Sequence, residues 1–136
     1  MSAFLDSNVL LYALGDEESK RRCARGLLAA VPTISTQVVN ECSHVLRRKA
    51  GWPPARVAAE LTLMIGLTRL VEVRMDQVRA AWSLAERYGF SHFDSLILAT
   101  ALAAGCATLY TEDLQHGQVI EGRLTLVNPF LVQPRP

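Results

Sequence analysis

Little in this chain favours a disulfide scaffold, a membrane span or a general attraction to polyanions. Cysteine is sparse: Cys23, Cys42 and Cys106 are the only three. Odd in number and without CxxC spacing, they read as reduced core thiols of a cytoplasmic protein. Net charge is only +1, so no overall field draws in nucleic acid, and any such partner must be gripped by local patches. Lysine is limited to Lys20 and Lys49. The most apolar stretch, Leu96 to Cys106, is too short to cross a bilayer and reads as a buried helix. No basic segment with a cleavage site precedes the first apolar residues, so no signal peptide is expected. Repeats, low-complexity tracts and linkers are missing as well, and Gly51-Trp52-Pro53-Pro54 is a turn rather than a boundary.

What remains is a globular balance, 50% hydrophobic and 20% charged over 136 residues, enough for one domain with a real core. Short apolar runs alternate with helical patterns. Ala3-Phe4-Leu5 reads as a first strand, Thr33-Ile34-Ser35 as a second and Leu70 to Val73 as a third. Ala107 to Tyr110 and Leu124 to Val127 complete the set. Helices are predicted over Val9–Leu14, from Asp16 to Val31 before Pro32, over Thr36–Ala50, Pro54–Thr68 and Asp76–Tyr88, and from Ser91 to Ala104. This alternation predicts an α/β fold, a single domain over residues 1–136 with a mostly parallel sheet of about five short strands flanked by helices.

Four carboxylates fall at strand ends or helix starts, where an open parallel sheet gathers residues distant in sequence along one crevice. Asp6 directly follows the first strand. It can cap the next helix, but Asp6-Ser7-Asn8 exceeds what one cap needs. Glu41 lies one turn into its helix beside Val38 and Val45, either a solvated flank or a half-shielded ligand. Asp94 sits in Ser91-His92-Phe93-Asp94, the spacing of a capping box, and near the positive end of a helix dipole that keeps it ionised. Asp113 follows the fourth strand in Thr111-Glu112-Asp113, and spacing alone does not decide between it and Glu112. Ionised carboxylates repel by roughly 4 kcal/mol per close pair at an effective dielectric of about 20. A cluster is tolerable if it holds a hard divalent cation.

Asp6-Ser7-Asn8, Asn40-Glu41, Phe93-Asp94-Ser95-Leu96 and Thr111-Glu112-Asp113-Leu114-Gln115, in this order and at these intervals, resemble the PIN-domain family. More narrowly, the chain is similar to the VapC-type toxins of bacterial type II toxin–antitoxin pairs. The resemblance covers nearly the whole length. It implies a Mg²⁺- or Mn²⁺-dependent endoribonuclease with Asp6, Glu41, Asp94 and Asp113 as catalytic and metal-binding acids and Asn8 and Thr111 in support. It selects Asp113 over Glu112. It also implies an RNA substrate, a cognate antitoxin whose tail fills a groove near the acids, and a homodimer. The helices from Val9 to Val31 and from Val38 to Leu67 are candidates for that groove or plain core.

The chemistry suits oxygen ligands. Phosphodiester hydrolysis needs an activated water and charge neutralisation at phosphorus, which a hard cation held by a few carboxylates supplies. His44, His92 and His116 lack metal-ligand spacing and read as capping or surface residues, with His116 the nearest to substrate. Lys20-Arg21-Arg22 with Arg25, and Arg47-Arg48-Lys49, are the candidate phosphate grips. The second also suits a helix C-terminus. A phosphoacceptor receiver domain would need paired acids after strand one and a lysine after the last strand, and a haloacid-dehalogenase-like phosphatase would need Asp-x-Asp. Neither pattern is present. The better rival is a non-catalytic PIN-like module that binds RNA or protein.

Overall fold

The computed structural model describes residues 2–131; the outermost ends of the expected 1–136 domain lie outside that range. The elements run β1 (Ala3–Leu5), α1 (Ser7–Leu14), α2 (Glu18–Leu28), β2 (Thr33–Ser35), α3 (Thr36–Arg48), α4 (Pro54–Gly66), β3 (Arg69–Val71), α5 (Met75–Tyr88), α6 (His92–Ala103), β4 (Thr108–Tyr110), β5 (Val119–Ile120) and β6 (Leu124–Val127). The strands form one sheet in the order β3-β2-β1-β4-β6-β5. All neighbours are parallel except β5 and β6. The α/β expectation therefore holds, with six strands among the described residues in place of about five. The extra strand, β5, is two residues long and pairs antiparallel with β6. It was hidden in a segment that reads as loop, between Gly117 and Gly122.

The order of the strands creates the crevice. Two successive crossovers step from β1 to β2 to β3, and the next returns across the sheet to β4 on the other side of β1. With right-handed crossovers, α1 to α4 cover one face and α5 and α6 the other. The packing of α1 on α2 and α3, of α3 on α4 and of α5 on α6 agrees with this. The chain thus reverses its winding between β1 and β4, where ligands enter such sheets. Their register, Leu5 opposite Tyr110, brings Asp6 and Thr111 side by side just beyond the two strands.

Phe4, Leu5, Ile34, Leu109 and Leu126 are buried on the sheet. Strands covered on both faces need apolar residues throughout rather than alternation. Helix α6 is buried from Ser95 to Ala101, which explains its apolar character on every side. Replacing fully buried Leu98 by Ala should cost about 2–5 kcal/mol in urea unfolding, from lost transfer energy plus a cavity.

Several element ends differ from expectation by a few residues, and at α2 and β3 the cause is visible. Helix α2 stops at Leu28 instead of reaching Val31. Val31 adopts φ of 52°, a left-handed backbone uncommon for a β-branched residue, as the chain turns through Pro32 into β2. Strand β3 begins at Arg69 and ends at Val71, because the Val73 N–H donates to the Thr36 hydroxyl at 3.1 Å rather than to a strand.

Candidate active site

Asp6 caps α1 and closes β1 at once. Its Oδ1 accepts from the Ser7 N–H at 2.7 Å. Its Oδ2 is used across the sheet: the Thr111 hydroxyl donates to it at 2.8 Å and the Asn8 amide at 3.4 Å. Capping therefore accounts for one oxygen and leaves the other to the β1–β4 junction. Only 4% of Asp6 is exposed. Burial pushes its carboxyl up to about 6; the bonds from Thr111 and Ser7 pull the other way, and the charges of Glu41 and Asp113 add to the rise.

Asn8 fixes the second strand end. Its Nδ2 donates to Asp113 Oδ2 at 2.9 Å, and its Oδ1 accepts from the Glu112 N–H at 3.2 Å. The Asp113 N–H donates in turn to Thr111 Oγ1 at 3.2 Å. One asparagine and one threonine thus tie Asp6 to Asp113. The neighbouring Glu112 is turned elsewhere: its carboxylate accepts from Lys20 Nζ at 2.5 Å and from the Tyr12 hydroxyl at 2.7 Å. The Lys20 contact holds the Glu112 carboxyl below the ordinary range. Spacing could not choose between these acids; their partners do. Glu112→Gln should leave catalysis of the same order as wild type, whereas Asp113→Asn should lower it by about tenfold or more, read by initial rates on one substrate.

Glu41 projects from the second turn of α3. Gln37, four residues earlier and on the same helix face, donates from Nε2 to Glu41 Oε2 at 3.1 Å and to the Phe93 carbonyl at 3.0 Å. That one amide links α3 to the start of α6. Only 8% of Gln37 is exposed, and its Oε1 has no partner among the described residues. Reversing the amide would set that oxygen against two acceptors, so the orientation follows from the network. Sequence reading missed Gln37; the i, i+4 spacing to Glu41 was the available signal.

At α6, Ser91 Oγ accepts from the Asp94 N–H at 3.2 Å. The serine caps the helix, as the capping-box spacing predicts. No reciprocal bond from the Asp94 carboxylate occurs among the described residues, and that half-buried group lines the cavity instead.

All four acids border one cavity of about 660 Å³. Thr36, Gln37, Asn40 and His44 supply further polar lining, and Val45, Val73, Phe93, Leu96 and Ile97 supply apolar lining. No lysine or arginine lines it among the described residues. Within those residues no three His, Cys, Asp or Glu side chains lie close enough to hold a metal ion as a group. The acids converge on one space without forming a tight cage.

The first basic cluster has partners within the chain, although Arg22 stays largely exposed. Lys20 pairs with Glu112 and lies 4.4 Å from the Tyr12 ring centroid. Arg21 and Arg22 reach Glu18, and Arg25 Nε donates to the Ala13 carbonyl at 3.0 Å. Arg47 and Arg48 lie in the last turn of α3, as the helix-end reading expects. His116 Nδ1 accepts from the Asn128 N–H at 3.0 Å, and His44, not His116, is the histidine on the cavity. All three cysteines are free. Cys42 and Cys106 are buried but Cys23 only partly so. No described helix is long and apolar enough to cross a membrane.

A family model, "PIN domain", matches residues 3–121. No curated protein matches the sequence. Among solved structures, the fold is similar to VapC20 of Mycobacterium tuberculosis, described as a sarcin–ricin-loop-cleaving toxin. That match has TM-score 0.68 and 24% identity and covers 82% of this chain and 90% of that one. A toxin–antitoxin complex from Klebsiella pneumoniae matches with TM-score 0.73 and 22% identity, over 96% of this chain and 100% of that one. VapBC2 from Rickettsia felis, bound to a promoter DNA fragment, matches with TM-score 0.67 and 21% identity, over 93% and 97%. At these identities the likeness concerns the fold.

Proposed function

The chain belongs to the PIN-domain family, and from that footing we propose that it is a Mg²⁺- or Mn²⁺-dependent endoribonuclease, the toxin of a type II toxin–antitoxin pair. One observation carries this reading: four carboxylates border a single cavity that no described lysine or arginine enters. Uncompensated negative charge around a half-enclosed space calls for a cation. Asp6 makes the need acute, because burial and two neighbouring acids raise its carboxyl to about 6, and a doubly positive ion relieves both causes.

The donor set fits a hard ion. Magnesium keeps several waters and takes only one or two carboxylates directly, so acids too dispersed to form a cage still suit it. Asp6, Glu41, Asp94 and Asp113 would hold it. When bound, it neutralises phosphate charge and activates water. The protein's part is to hold the acids in place. Thr111 and Asn8 orient Asp6 and Asp113 from the β1–β4 junction, and Gln37 orients Glu41 against the start of α6. Such supporting partners are typically worth 10–100-fold in metal affinity or activity.

Pairing with an antitoxin is supported by the neighbours solved as toxin–antitoxin assemblies. A homodimer and a cytoplasmic setting follow from the same reading. One observation favours the rival, a non-catalytic binding module: the described acids form no three-membered metal-ready group. The two readings separate on total RNA incubated with wild-type protein plus Mn²⁺, the same mixture with excess chelator, and Asp6→Asn plus Mn²⁺. Cutting in the first alone supports the nuclease. Equal cutting in all three removes it, and no cutting in any arm favours the module.

A further inference from the structure

A polyanion entering the cavity meets four acids and, among the described residues, no lysine or arginine on the lining. Charge neutralised at one phosphate leaves the flanking phosphates uncompensated. A net charge of only +1 gives no general field to offset that repulsion. A cation standing just outside the acids would offset it. Helix α3 carries three cations at its end: Arg47 and Arg48 in the last turn and Lys49 as the C-cap. The helix C-terminus accounts for their charge but not for the face each one occupies. At 3.6 residues per turn the three are spread around the axis. Gln37, Glu41 and His44 border the acidic cavity, and Arg48 continues their stripe, four residues after His44 and seven after Glu41. Val39 and Ser43 border a separate groove between α3 and α4, and Arg47 continues that stripe. The Arg47 guanidinium is also engaged, donating to the Trp52 carbonyl at 3.2 Å. Lys49 lies about 100° round the helix from Arg48. Arg48 is exposed and has no ion pair among the described residues.

Resting on the ribonuclease reading, we infer that Arg48 alone of the three grips the substrate: the strand leaves the cavity along α3, and the Arg48 guanidinium pairs with a phosphate flanking the one being cut. Seven helical residues span about 10 Å, so the Arg48 backbone stands clear of Glu41 while its long side chain can reach back or onward. Its planar fork matches phosphate oxygens, two bonds at a time. Because the contact is to backbone, it sets the register of the strand and carries no sequence information. Because it lies away from the reacting atoms, it is equally strong before and during the reaction. Its removal therefore weakens binding without slowing the chemical step. Arg47 and Lys49, close by in sequence but on other faces of α3, make no such contact.

The test measures the salt dependence of RNA binding by fluorescence anisotropy, on the full chain at a fixed Mn²⁺ concentration. The probe is a labelled mixed-sequence RNA decamer with phosphorothioate linkages to slow cutting. Each phosphate contact to a single strand contributes about 0.7 to the slope of log affinity against log salt. Arg48→Gln should make that slope shallower by about 0.7, and Arg48→Lys should restore it. Arg47→Gln and Lys49→Gln remove the same net charge and should leave the slope as in wild type. In initial rates on unmodified RNA, Arg48→Gln should raise KM and leave kcat unchanged. An unchanged slope in Arg48→Gln overturns the inference, as does the absence of wild-type binding. An equal loss in Arg47→Gln or Lys49→Gln overturns it too, because a diffuse field and not one contact would then hold the strand. A fall in kcat at unchanged KM would put Arg48 at the reacting phosphate, against the assignment. RNA cutting with a slope indifferent to Arg48 defeats the contact and leaves the nuclease reading intact. An Arg48-dependent slope in a protein that never cuts RNA retains the contact and defeats the nuclease.

Discussion

Asp6→Asn should be inactive and yet more stable than the metal-free wild type at neutral pH. Asparagine caps helices as well as aspartate does, and its side-chain oxygen can still accept a hydrogen bond at this site. What it removes is a buried charge. The carboxyl has an ordinary value of 3.8 and is raised to about 6 here. Because the folded value is the higher one, the favourable contribution of protonated Asp6 is complete below 3.8 and is lost as pH rises through about 6. That gap corresponds to about 3 kcal/mol at pH 7.5, and a neutral asparagine does not lose it. Chemical denaturation of both proteins in chelator, from pH 4 to 8, should show the wild type falling towards neutrality and the variant nearly level. Saturating Mn²⁺ should reverse the order, since an ion at about 100 times its Kd adds about 2.7 kcal/mol to the protein that binds it. A variant no more stable than wild type in chelator at pH 7.5 would contradict the strain assigned to Asp6.

Thr111→Val should be the most damaging change among the residues that touch no open part of the cavity. Valine matches threonine in shape and lacks its hydroxyl. Thr111 is fully buried, donates to Asp6 Oδ2 and accepts from the Asp113 N–H. Hydrogen bonds to charged groups are worth about 1.5–3 kcal/mol, and stranding a buried partner adds to the loss. The Thr111 bond also holds the Asp6 carboxyl down. Without it the proton competes with the cation at higher pH, so the acid limb of the rate profile should move upward. Metal-free stability should drop most above about pH 6, where wild-type Asp6 is ionised. The pH–rate profile distinguishes this from general loosening: a uniform fall in rate at every pH would show that Thr111 is only structural.

The parts of this molecule that could be read from sequence are those governed by local rules. Asp6 was legible because a short apolar run ending in Asp-Ser-Asn marks both a strand end and a helix start. The α6 cap was legible because Ser91 and Asp94 have the required spacing. Strand β5 was not, because Val119–Ile120 acquires its identity only from pairing with β6. The orientation of Glu112 away from the cavity was equally hidden. It depends on Lys20 and Tyr12, about a hundred residues earlier, which the β1–β4 pairing brings close. The same contact gives Lys20, in the Lys20-Arg21-Arg22 cluster, an internal partner that charge clustering in sequence does not disclose. Gln37 escaped notice because a glutamine in a first helical turn is unremarkable until its amide is seen to bridge Glu41 and Phe93.

Electron paramagnetic resonance of free Mn²⁺ addresses the acidic cavity most directly, because it counts bound ions without relying on RNA or turnover. Titrated at pH 7.5, the wild-type chain should withdraw Mn²⁺ from solution in a saturable way. Uptake should weaken below about pH 6 as Asp6 takes up its proton, and Asp6→Asn should leave the ion free. A wild-type chain that leaves the Mn²⁺ signal untouched, or an Asp6→Asn variant that depletes it equally well, would mean that these carboxylates do not meet around a cation.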